Sequence, residues 1–73
     1  MTNTDLLEEK IAQSGKKKIY LAEKLGVTPQ GLRNLIKNKT EFKARHIQIL
    51  CDELGITTAK DKEAIFFAKA VAK

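Results

Sequence analysis

A single cysteine, Cys51, means that no disulfide can close within the chain and that no thiolate pair can hold zinc. The one histidine, His46, has no neighbouring ligand set. A lone cysteine reads as a small buried apolar residue and fits a reducing, cytoplasmic compartment. No apolar stretch approaches the roughly 20 residues of a membrane span. The opening segment, Met1-Thr2-Asn3-Thr4-Asp5, carries neither the basic flank nor the apolar run of a secretion signal. Repeats, low-complexity tracts and linkers are missing, and a length of 73 residues predicts one domain, 1–73. There is no nucleophile–base pair, metal-ligand cluster or glycine-rich phosphate loop. This argues against an enzyme and leads us to expect no cofactor.

What is present is globular in composition, with 42 % apolar and 32 % charged residues. The net charge is +5, unevenly spread. Between Lys16 and Arg45 nine basic side chains face two acidic ones, Glu23 and Glu41, for a local net of +7. The rest of the chain sums to −2. DNA is the simplest partner for such a concentration, and a solvated basic face is the plain alternative.

Helical spacing dominates the pattern. A first helix is expected over Asp5 to Ser14, capped by Thr4, with Leu7 and Ile11 inward and Gly15 as its stop. A second runs from Lys17 or Lys18 to Leu25, with Leu21, Ala22 and Leu25 inward, and Gly26 ends it. Thr28 caps a third, whose first position suits Pro29 because a missing N–H costs nothing there. This helix extends to about Lys37, with Leu32 and Leu35 inward and Ile36 outward, before the loop Asn38-Lys39-Thr40. A fourth covers about Ala44 to Leu54, with Ile47, Leu50, Cys51 and Leu54 inward, Ile49 outward and Gly55 as stop. Thr58 followed by Asp61 resembles a capping box and opens a fifth segment to about Ala72. Its Ile65-Phe66-Phe67 run suits a strand or a helix, and the flanking Ala and Lys favour helix. The expected fold is all-α, a compact bundle of four or five helices.

Two helices crossing steeply at a tight turn need a small residue at their contact and a turn residue that tolerates positive φ. Leu21-Ala22, Gly26, Val27, Leu32 and Leu35 meet that spacing. The segment YLAEKLGVTPQGLRNLIKNKT, Tyr20 to Thr40, resembles the Cro and CI repressor class of temperate phages, the XRE-type helix-turn-helix regulators. The likeness continues through IQILCDELGIT. It implies a transcription regulator of a lysis–lysogeny switch, working in the cytoplasm of a bacterial host.

In such regulators the second helix of the motif enters the major groove. The resemblance places Gln30 and Asn34 at base-reading positions, where their amides suit adenine. It puts Arg33 on the same face, towards guanine or phosphate, and Lys18, Thr28, Lys37 and Lys39 at phosphate contacts. Pro29, Gly31 and Ile36 depart from the usual pattern. Ile36, Tyr20 and Ile49 read either as scattered surface apolar residues or, for Ile36 and Tyr20 together with Leu32 or Ile19, as an apolar protein-contact surface. The chain is also similar to the lactococcal-type modulators of repression, which act on a CI-type repressor by direct contact. Two readings therefore stand: a Cro-like operator binder, or a modulator that docks on a partner CI repressor. Either admits a homodimer or heterodimer. Ile65 to Val71 is the candidate dimer surface, against a core role for the same residues.

Overall fold

Apolar side chains at helical spacing close into five helices in the computed structural model, which describes residues 1–67. These are α1 (Thr4–Ser14), α2 (Lys18–Leu25), α3 (Pro29–Ile36), α4 (Ala44–Leu54) and α5 (Ala59–Phe66). No strand occurs among the described residues. The expected boundaries hold for α2 and α4. α3 stops at Ile36, and Lys37 is its cap, donating its N–H to the Arg33 carbonyl at 3.0 Å. α5 ends at Phe66, with Phe67 as its non-helical cap, short of the expected run to about Ala72. Residues 68–73, and with them the outer part of the Ile65–Val71 surface, lie outside the description.

One core joins all five helices. It gathers Leu7 and Ile11 from α1, Leu21, Ala22 and Leu25 from α2, and Leu32 and Ile36 from α3. Ile47, Leu50 and Cys51 of α4, Ile56 of the following turn, and Ile65 and Phe66 of α5 complete it. Full burial of each large side chain contributes about 1.5–3 kcal/mol. Phe42 packs edge-on against Phe66, with ring centroids 5.4 Å apart. Ile65 and Phe66 are thus core residues rather than a dimer surface, while Phe67 is exposed.

Four expectations are corrected. Ile36 is 1 % exposed and Leu32 0 %, so neither belongs to a surface for a partner. Helix geometry supplies the reason: a residue four positions on lies only about 40° around the axis, so Ile36 shares the face of Leu32. α1 covers that face, with Thr4 Oγ1 donating to the Ile36 carbonyl at 2.6 Å. Thr4 is consequently not the cap of α1. Asn3 is, its Oδ1 accepting the Leu6 N–H at 3.1 Å. Ile49, expected outward, is half-buried against the core.

The N-terminal residues tie distant parts together. The Asn3 N–H donates to the Ile65 carbonyl at 2.6 Å. Thr2 exchanges two bonds with the Asn38 side-chain amide, each 2.8 Å. Asn38 has φ +65°, a left-handed conformation that Asn tolerates better than most residues, and it ends the turn after α3. His46 is buried, and its Nδ1 accepts the Lys43 N–H at 3.3 Å. Burial, then the neighbouring charges of Arg45 and Lys43, lower its pKa below the ordinary value of 6.5.

Ile36→Ala should lower the unfolding free energy by about 2–5 kcal/mol, measured by denaturant titration. A depressed histidine pKa stabilises the fold above the unfolded value. Below pH 6.5 the unfolded chain takes the proton first, and stability is lost as pH falls towards the folded pKa. Melting at pH 7.5 and 5.5 should show this loss in the native protein and a weaker one in His46→Gln.

Candidate nucleic-acid interface

The α2–turn–α3 unit is built from its turn outwards. Gly26 adopts φ +75°, and the Val27 N–H closes back on the Ala22 carbonyl at 3.0 Å. Arg45, from α4, donates to the Leu25 carbonyl at 3.1 Å and ties the end of α2 to the scaffold. Nothing in the sequence pattern assigned Arg45 this role, because a surface base at a helix start is silent about a partner twenty residues away. Thr28 then caps α3, its Oγ1 accepting the Gly31 N–H at 3.0 Å. Its own O–H is left able to donate outwards. Gly31 has a steric reason: a Cβ there would stand 3.2 Å from Thr28 Oγ1, crowding the cap.

With Leu32, Leu35 and Ile36 buried, the other face of α3 is polar. Gln30 and Arg33 are exposed and Asn34 is half-buried. The three form one chain of hydrogen bonds: Arg33 Nη2 donates to Gln30 Oε1 at 3.2 Å, and Gln30 Nε2 donates to Asn34 Oδ1 at 3.1 Å. Paired side chains of this kind lose less freedom when a ligand orders them. Lys37 and Lys39 are exposed beyond the helix end. The Lys39 and Thr40 N–H groups donate to the Asn34 carbonyl at 2.8 and 3.3 Å, folding the loop under α3.

Lys18, at the start of α2, shares a depression with Arg33, Lys37, Ile36 and Glu8. Of the expected site residues, Arg33, Gln30 and Asn34 are joined on α3, and Lys18, Arg33 and Lys37 share the depression, while Thr28 stands apart as the helix cap and Lys39 lies in the loop beyond the helix end. Glu8 was not anticipated, since an acid one helix away carries no sign in sequence that it folds onto Lys18.

Tyr20 stays at the surface, 37 % exposed, on the side of α2 facing α4. Its O–H donates to Glu53 Oε1 at 3.1 Å, and Lys16 and Lys24 ammonium groups lie 5.8 and 5.4 Å from its ring centre. Lys16 pairs with Glu53 at 2.9 Å. That hydrogen bond, with the one from Tyr20, holds the Glu53 carboxyl below the usual carboxylate range. Beside it, Ile19, Tyr20, Ala22, Glu23, Val27 and Pro29 line a shallow, largely apolar groove.

A family model described as helix-turn-helix matches residues 7–60, from within α1 to the start of α5. The chain belongs to this helix-turn-helix family. It is an XRE-like, DNA-binding transcription regulator. No curated protein and no solved structure matches it. No helix among the described residues is long and apolar enough to cross a membrane.

Thr28→Ala should cost about 0.5–2 kcal/mol of stability through the lost cap, and Thr28→Ser should retain most of it. Thermal melts of the two variants check this.

Proposed function

We propose that this helix-turn-helix regulator is a Cro-like operator binder acting in the lysis–lysogeny switch of a temperate phage. The observation that carries the reading is the exposed, hydrogen-bonded row Arg33–Gln30–Asn34 on α3, opposite a fully buried stripe. Amides and a guanidinium are the side chains that pair two-fold with adenine and guanine edges in the major groove. Lys18, Lys37 and Lys39 flank the row and supply phosphate contacts, and the Thr28 O–H adds a further donor. Such contacts position the helix and carry no sequence information themselves. The phage setting comes from the resemblance of Tyr20 to Thr40 to the Cro and CI class.

A second reading, a modulator docking on a CI-type repressor, has its own supporting observation. Ile19 is 65 % exposed and forms, with Tyr20, Val27 and Pro29, the apolar groove beside α3. Leu32 and Ile36 drop out of that surface because they are buried. In either reading a dimer would draw on the exposed Phe67 and Met1, which line a pocket with Phe42 and Phe66.

Titration of operator duplexes over a salt series tests the first reading. Arg33→Ala or Gln30→Ala should weaken operator binding by about 5–150-fold and relax preference at one base position. Lys37→Gln should weaken binding to all sequences alike and reduce the salt slope by about one. Sequence-independent binding in every variant would overturn the reading. A stable complex with the repressor, formed without any operator binding, would favour the second.

A further inference from the structure

Glu8 puts a carboxylate inside the basic surface. Thr4 and Glu8 stand one turn apart on the same face of α1. The bond from Thr4 Oγ1 to the Ile36 carbonyl seats that face against the end of α3. Glu8 thereby enters the depression lined by Lys18, Arg33, Ile36 and Lys37. Its Oε1 lies 2.8 Å from Lys18 Nζ, and its Oε2 accepts from the same ammonium at 3.0 Å. Three cations thus share one depression with a single anion, and that anion engages one of them, Lys18, with both oxygens.

We propose that Glu8 is a resident competitor for DNA phosphate. It holds Lys18 in the free protein and must yield it when a phosphate arrives. The inference rests on the reading of Lys18 as a phosphate contact. The carboxylate acts in two ways. It occupies the donor, and it adds a like charge to an incoming phosphate within the roughly 8–10 Å over which charges are felt at physiological salt. Exposed ion pairs contribute little to stability, and this pair is about 40 % exposed on each side, so its consequence falls on binding rather than on the fold. Lys16 is paired with Glu53 on the far side of α2, outside this depression. Glu9, exposed on α1, takes part in neither ion pair among the described residues. It offers a control of equal charge at a different place.

The test compares the native protein with Glu8→Gln, Glu9→Gln, Lys18→Gln and the Glu8→Gln/Lys18→Gln double variant. The probes are a short mixed-sequence duplex over a salt series and a heparin column. Glu8→Gln should tighten duplex binding about 3–10-fold and steepen the salt slope by about one counterion. Glu9→Gln should give a clearly smaller gain. Lys18→Gln alone should weaken duplex binding and lower the salt slope, and in that background Glu8→Gln should gain no more than Glu9→Gln gains in the native protein. Equal effects of Glu8→Gln and Glu9→Gln, or a Glu8→Gln gain undiminished by loss of Lys18, would overturn the proposal while leaving DNA binding intact. Later heparin elution of Glu8→Gln than of Glu9→Gln, lost in the Lys18→Gln background, with no variant binding duplex, would keep Glu8 as a competitor for a polyanion at Lys18 and count against Lys18 as a DNA contact. Thermal melts confirm that each variant is folded.

Discussion

The structure depends on the burial of one side of a short helix. α3 has eight residues, too few to persist alone, so packing must hold it. Leu32 and Ile36 insert between α1 and α2, and Thr4 bonds the Ile36 carbonyl from above. This anchoring leaves Gln30, Arg33 and Asn34 facing away from the core as one hydrogen-bonded row. A change that loosened the stripe would blur the row before it altered any residue in it.

Charge is the second organising constraint. The concentration of bases between Lys16 and Arg45 overstates what a polyanion meets. Lys16 is engaged by Glu53, Lys18 by Glu8, and Arg45 by the end of α2. Arg33, Lys37 and Lys39 cluster towards the end of α3. The positive surface is therefore less continuous than the linear sequence suggests, and part of it lies at the end of the helix proposed to read bases. Acids brought in by tertiary packing have trimmed it.

Much of the fold was legible because local chemistry marks helix ends. Gly15, Gly26 and Gly55 sit at left-handed caps, Thr28 and Thr58 accept capping bonds, and Pro29 opens α3 as its fixed φ requires. Faces were less legible: the helical wheel puts Ile49 outward, yet it packs half-buried against the core. Ile36 was set outward because that position is usually polar in the resembling class, whereas its place four residues after Leu32 puts it in the core. Asn3 and Thr4 are both capping residue types in sequence, and the fold separates them: Asn3 accepts the Leu6 N–H, while Thr4 turns to the Ile36 carbonyl. Pairings across helices, Glu8 with Lys18 and Asn38 with Thr2, leave no periodic trace. The groups of the candidate interface could thus be named from sequence, but not which of them are already occupied.

The most direct test of the central claim is a map of backbone amide shifts as a short operator duplex is added to the isotope-labelled protein. The account predicts the largest changes at Gln30, Arg33, Asn34 and Lys37, with smaller ones at the start of α2 and little along the outer face of α5. Changes centred on α5, or on the Ile19–Pro29 groove with the α3 row unmoved, would contradict it.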